Sequence, residues 1–518
     1  MTAAIRFLIL AMIAVLPATG AHAQSAGDLS HKPNIVVIMT DDVPPMDISA
    51  YHRGLGAVTT ANIDRIAAEG TMVSDYYAQP SCTAGRAAFI TGQYPIRTGL
   101  TSVGQPGSPI GLQKEDVTLA QLLKARGYAT AQFGKSHVGD RNEFLPTVHG
   151  FDEFYGFLYH LNMMDMPEQA EFPKDPNFVG RPRNVIHALA NAKDDATIDP
   201  RWGRVGHQTI TDEGPLGSER QKTFDNEVLD RSVTWMKNTV AEKKPFFLWF
   251  NPSRMHQQIH VSKGWEGKSG HSAYADALLQ LDWIVGQVLA TIDDLGVRDN
   301  TIVLFTADNG VNLAHWPSAG TPSFRGEKGT TWDGGFRVPM LVRWPGHVPA
   351  GHWSGEFMTS EDWVPTLMAA VGDPDVKEKL LKGDKVGDQT FKVHLDGYNQ
   401  LDMLTDKGPS RRREFFFYGE TELNAARVDQ WKVHIAIKNE WLKAAEKIPG
   451  GMLIDIKLDP FERTPDAPGH FAWMKEKSWI IPIISPPLVQ YMKSLKEFPP
   501  RQKGSGIGAE TLTGGSGE

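Results

Sequence analysis

Three carboxylates and one carboxamide directly follow two apolar runs. Ile35-Val36-Val37-Ile38 leads into Thr40-Asp41-Asp42, and the run from Thr301 leads into Thr306-Ala307-Asp308-Asn309-Gly310. Such a set offers only oxygen ligands, which suits a hard cation such as calcium or magnesium better than zinc. Either pair alone is as much at home in a helix cap or a turn. Two pairs, each at the tip of a buried strand, point to a metal. Two more apolar runs end in Phe133-Gly134-Lys135-Ser136-His137 and Asn251-Pro252-Ser253-Arg254-Met255-His256. They bring one ammonium and two imidazoles, enough for charge stabilisation and for proton transfer at neutral pH. A single histidine among 17 is more often a surface or core residue; the shared placement is what selects His137 and His256. His260 is the fallback for His256.

The only cysteine, Cys82, lies in Pro80-Ser81-Cys82-Thr83-Ala84-Gly85-Arg86. Ser81 is expected to cap a short helix whose first turn carries Cys82, with Arg86 one turn later on the same face. A helix N-terminus favours a nucleophile or an anion, and a guanidinium beside it would hold an oxyanion. The plain alternative is an inert buried thiol. Phe324 to Pro339 is glycine-rich and leaves Lys328 free to reach the same place, unless the segment is only a tight loop.

These residues need a scaffold that delivers strand tips to one edge. Short β-branched runs alternate with helical periodicity, the pattern of a mostly parallel sheet covered on both faces, where ligands bind beyond the carboxyl ends of the strands. Strands are predicted at 35–38, 128–133, 246–250, 301–306 and 338–343, and helices at 61–69, 117–126, 225–243 and 272–295. Phe157 to Gln221 has no clear pattern and is expected to form irregular loops. After about Gly372 the texture changes to separate strands at 414–418, 432–437 and 452–457. The fold class is therefore α/β, a large mixed and mostly parallel sheet sandwiched by helices, with a smaller C-terminal α+β unit containing an antiparallel sheet. The divisions are set at 1–23, 24–385, 386–498 and 499–518, the last a mobile tail.

Lys+Arg 53 against Asp+Glu 61 gives a net charge of −8, with 41% apolar residues. That excludes a basic nucleic-acid binder and a disordered chain. Arg6, the apolar run Phe7 to Leu16 and Ala21-His22-Ala23 make a secretory leader cut after Ala23. The mature chain is expected to be periplasmic or secreted, with no membrane anchor. One cysteine cannot form an internal disulfide, so a lone thiol in an oxidising compartment requires another explanation.

Taken together, these residues resemble the sulfatase family of the alkaline phosphatase superfamily, from Pro33 to roughly Gly346. Asp455-Ile456-Lys457-Leu458-Asp459-Pro460 is similar to that family's late strand and turn. The most specific element, Cys82 to Arg86 followed by Thr91-Gly92, resembles the signature for oxidation of cysteine to formylglycine (3-oxoalanine). The resemblance implies that Asp41, Asp42, Asp308 and Asn309 bind one divalent cation, calcium or else magnesium. It implies that Cys82, as a hydrated aldehyde, is the nucleophile. Arg86 and Lys135 would orient and charge-stabilise it, His137 would act as base, and His256 and Lys328 would bind sulfate and assist the leaving oxygen. A small-molecule or glycan sulfate ester is the implied substrate, hydrolysed in the manner of an arylsulfatase, and a formylglycine-generating enzyme is the implied partner. Ala84 and Gly85 depart from the commonest residues of the signature, and the His256 segment lacks the usual Pro-His-x-Pro. Two other readings stand beside this one: a phosphonate monoester or phosphodiester hydrolase with the same nucleophile, and a non-catalytic metal-binding protein. A zinc phosphatase would need nitrogen ligands at two metal positions.

Overall fold

The computed structural model describes residues 32–504 apart from positions 315, 319 and 321. Residues 1–31, which include the expected leader, and residues 505–518, which belong to the expected tail, lie outside them. Ten strands form one sheet: β1 Asn34–Thr40, β2 Thr71–Tyr77, β3 Ala129–Lys135, β4 Glu153–Phe157, β5 Ile186–Asp199, β6 Gly203–Asp212, β7 Phe246–Asn251, β8 Thr301–Ala307, β9 Met340–Arg343 and β10 His352–Thr359. Their order is β10-β2-β9-β8-β1-β7-β3-β4-β5-β6. The central strands β8, β1, β7, β3 and β4 are parallel neighbours. They are buried almost throughout, as unbroken apolar runs covered on both faces must be. Strands β5 and β9 run against the strands beside them.

The helices Ala61–Ala68, Phe224–Ala241 and Ala273–Asp294 cover the sheet. The last is apolar and long enough to span a membrane by length and composition, yet most of it is buried inside the fold, so it serves as a core helix.

One expectation needs correction. Phe157 to Gln221 is not irregular throughout, because β5 and β6 make a long hairpin there. Its outer half is exposed on both faces and slips in register between Ala190 and Asp195, so its sequence lacks the alternation that marks a half-buried strand. The 338–343 strand is β9, antiparallel to both neighbours.

A second, antiparallel sheet contains β13 Glu414–Gly419, β14 Glu422–Val428, β15 Trp431–Ile437 and β16 Glu446–Asp455; β11 Asp384–Val386 and β12 Gln389–Phe391 form a small hairpin before it. An aromatic core of Tyr77, Tyr94, Phe336, Phe357, Phe415 and Phe417 joins this sheet to the large one. A chain of buried charges runs along the same seam. Arg427 clasps Asp75 with two hydrogen bonds of 2.8 and 2.7 Å, and Arg337 Nη2 lies 3.1 Å from the same carboxylate. Lys432 Nζ sits 2.8 Å from both Asp333 Oδ1 and Glu462 Oε1.

Candidate active site

Parallel pairing puts the carboxyl ends of β8, β1, β7 and β3 at one edge. The register Thr40↔Ala307 sets Asp41 and Asp42 beside Asp308 and Asn309, and Gly134↔Asn251 brings the Lys135 turn next to the segment ending at His256. All ten expected site residues are buried.

Lys135 Nζ donates to Asp41 Oδ2, and Lys328 Nζ to Asp42 Oδ1 at 2.6 Å. The same ammonium lies 2.9 Å from Cys82 Sγ, which is itself 3.5 Å from Asp41 Oδ1. Arg86 Nε donates to Asp308 Oδ2 at 2.9 Å and Nη1 to the Lys135 carbonyl at 3.1 Å. Asn309 Nδ2 donates to Asp42 Oδ1 at 2.6 Å.

Cys82 opens the helix Cys82–Thr91, closed by Gly92 in the left-handed region at φ 67°. Ser81 stands at the N-cap with extended backbone, but its side chain makes no cap hydrogen bond, and its buried hydroxyl has no partner. The expected cap is therefore one of position only. Gly85 explains how the helix is seated: a Cβ there would fall 1.8 Å from the Asp308 carbonyl oxygen. The helix backbone rests directly on the tip of β8.

Burial pushes the Asp41 carboxyl up, but Lys135, then His256, Lys328 and Arg86, hold it well below the usual carboxylate range. Asp42 is raised by burial and by the charge of Asp41, against the pull of Lys328. Burial, followed by Asp41, lifts Asp308 to about 6. Two of three crowded carboxylates thus resist ionisation, because burial disfavours the charged form and the neighbouring carboxylates add to that cost. Asp42 Oδ2 and Asn309 Oδ1 are buried without hydrogen-bond partners. Atoms of Asp41, Asp42, Cys82 and Asp308 all lie within 4.8 Å of one another. A hard divalent cation would satisfy those unpaired oxygens and relieve the crowding, so the donor set fits one.

Burial raises the Cys82 thiol to about 12, with Asp41 adding to the effect, so it is held as the neutral thiol. Lys328 is protonated: burial opposes its charge, but Asp42, Cys82 and Asp41 outweigh that cost. His137, at φ 63°, has both ring nitrogens buried and unpartnered, and burial followed by Lys135 holds it well below the imidazole range. His256 falls to about 3 through burial, with Asp41 opposing.

A nitrogen of His256 lies within 4.8 Å of atoms of Asp41 and Cys82, whereas His260 bonds Asp165 through Nε2 at 3.2 Å, away from the thiol. A third imidazole escaped sequence reasoning. His160 stacks on His256 at 5.6 Å and meets His137 edge-on at 6.0 Å. Its Nδ1 lies 3.2 Å from Met163 N, capping the helix Leu161–Asp165, and 2.5 Å from Asn162 Oδ1. Its position just past the tip of β4 was the available signal. Trp441, from the second sheet, also reaches the site, with its ring centre 5.3 Å from Lys328 Nζ.

Residues 33–373 match the family model described as Sulfatase. The chain is 33% identical to human arylsulfatase A over 396 residues, 75% of this chain and 71% of that one. It is 30% identical to mouse steryl-sulfatase, covering 88% of this chain and 83% of the other. Among solved structures, the PsFucS1 sulfatase from Pseudoalteromonas sp. superposes with a TM-score of 0.76 at 27% identity, covering 91% of this chain and 92% of that one.

Proposed function

The chain belongs to the sulfatase family and is a sulfuric ester hydrolase, and we propose that it works through a formylglycine made from Cys82 and one calcium ion held by Asp41, Asp42, Asp308 and Asn309. The observation that carries this reading is the setting of the only cysteine. It is buried at a helix start, 2.9 Å from Lys328 Nζ and 3.5 Å from Asp41 Oδ1, with its thiol pushed up to about 12. A thiol held neutral is a poor nucleophile, so the position makes chemical sense once the sulfur is replaced. The hydrated aldehyde supplies two hydroxyls on one carbon, one to attack sulfur and the other to expel sulfate afterwards. A bound calcium supplies charge neutralisation for the transferring group.

The side chains divide the remaining work. Arg86, fixed by Asp308 and the Lys135 carbonyl, is a rigid cation that orients residue 82. Lys135 adds a second positive charge beside Asp41. His137, neutral and with free ring nitrogens, takes the proton lost when sulfate is expelled. Lys328 carries a proton toward the departing ester oxygen, and His256 contacts the sulfate. None of these groups must reorganise as charge develops, the condition under which fixed dipoles and ions accelerate a reaction most.

Aryl and glycan sulfates are the proposed substrates, supported by the likeness to arylsulfatase A and to human N-acetylgalactosamine-6-sulfatase. Export to the periplasm or medium, supported by the leader pattern in residues 1–23, and oxidation of Cys82 by a formylglycine-generating enzyme complete the proposal. Mass spectrometry of the peptide containing Cys82 to Arg86, paired with an assay of released inorganic sulfate, tests it. An aldehyde in active material is expected; an intact thiol in fully active protein overturns it.

A further inference from the structure

We propose that Trp441 is a specificity-determining residue, a flat wall on which the leaving group of the sulfate ester stacks, so that preferred substrates carry a ring next to the esterified oxygen. This rests on the reading of Lys328 as the residue facing the departing oxygen. Lys328 Nζ is the shared point: it lies 2.9 Å from Cys82 Sγ and 5.3 Å from the centre of the Trp441 ring. The indole therefore borders the place where the ester bond to the leaving group breaks.

Its position is fixed from several directions. Trp441 belongs to the loop 438–445 between β15 and β16. Lys438 N donates to Thr331 Oγ1 at 2.9 Å and Thr331 N to the Lys438 carbonyl at 3.1 Å. Trp332 Nε1 donates to Asn439 Oδ1 at 2.9 Å. The loop is thus stitched to the segment that carries Lys328. The indole also sits on Gly329, where a Cβ would lie 2.4 Å from Trp441 Cγ, at a backbone φ of 79°. One ring edge is consumed by that contact, yet the residue is only half-buried, while Lys328 beneath it is wholly buried. A fixed, partly uncovered indole beside a reaction centre is suited to stacking against an aryl ring or the C–H face of a pyranose. A linear alkyl chain offers it no complementary face.

The test compares kcat/KM of the mature enzyme for 4-nitrophenyl sulfate, a monosaccharide 6-sulfate and n-butyl sulfate, in wild type, Trp441→Phe and Trp441→Ala. The expected result is a drop of about tenfold in the ratio of ring to chain substrate for Trp441→Ala, carried mainly by KM, with Trp441→Phe recovering most of it. Whichever ring substrate falls further identifies the leaving-group class. Equal losses for all three esters would make the indole a mere cover over Lys328 and overturn the inference, as would an unchanged ratio. If wild type turned over none of the three, the reading of aryl and glycan sulfates as its substrates would fail; that outcome is distinct from both.

Discussion

Arg86 and Asp308 form a fully buried ion pair in which Nε and Nη2 lie 2.9 and 2.8 Å from the same carboxylate oxygen. Removing one partner of such a pair strands a charge in the interior, at a cost of about 3–5 kcal/mol. Arg86→Ala should therefore lower thermal stability as well as abolish turnover. Asp308→Ala should in addition reduce calcium content, measured by elemental analysis of dialysed protein. Undiminished calcium in that variant would argue against its role as a ligand.

Cys82→Ala separates chemistry from folding. The sulfur accepts from Lys328 Nζ at 2.9 Å, but that ammonium keeps Asp42 as a partner at 2.6 Å, and the loss of the thiol leaves only a small space beside Asp41 and Lys328. Sulfate release should fall to background while the melting temperature moves by no more than a few degrees. Retention of most activity would remove the proposed nucleophile.

Gly85→Ala tests how the helix is seated. Its added methyl would lie 1.8 Å from the Asp308 carbonyl oxygen, so the helix must lift away from β8 and take Cys82 and Arg86 with it. Loss of activity with a clear fall in melting temperature is expected. A fully active and stable variant would show that the helix can shift without cost.

The choice between sulfur and phosphorus esters is settled by turnover. A site arranged for a sulfate monoester should process an aryl sulfate faster than an aryl phosphodiester. The reverse ranking would reassign the chain to the diester hydrolases that share the nucleophile.

Acid stability should show the signature of His149. This residue is buried, with Nε2 3.1 Å from the Glu143 carbonyl, and burial depresses its ionisation to about 4. The unfolded chain takes up its proton near pH 6.5, whereas the folded chain resists until about pH 4. Stability from this group is thus intact above pH 6.5 and is lost as pH falls toward 4, by about 2 kcal/mol between pH 6.5 and 5. His149→Gln should unfold at midpoints that depend less on pH in that window, measured by urea denaturation. A variant with the wild-type pH dependence would contradict the assignment.

Much of the site could be read from the sequence because chemistry and patterning coincide at strand tips. Asp41, Asp42, Asp308 and Asn309 follow apolar runs that only a two-sided buried strand accommodates, and the pairing Thr40↔Ala307 then brings them together. Lys135, His137 and His256 follow by the same rule. His160 was hidden because β4 begins with Glu153-Phe154, too short and mixed a run to announce a strand, so its tip went unnoticed. Trp441 was hidden for a different reason: it arrives from another sheet, and no local pattern encodes a contact made across the seam. The outer half of the β5–β6 hairpin lacks a buried face and with it the alternation on which strand recognition relies.

The buried charges that cross between the two sheets make the carboxy-terminal third indispensable to the rest. Were it cut away, Asp75 would lose Arg427 and Lys457, and Asp333 would lose Lys432, deep inside what remained. A shortened chain would inherit uncompensated anions where it can least tolerate them, so both portions should melt together in a calorimeter as one cooperative body.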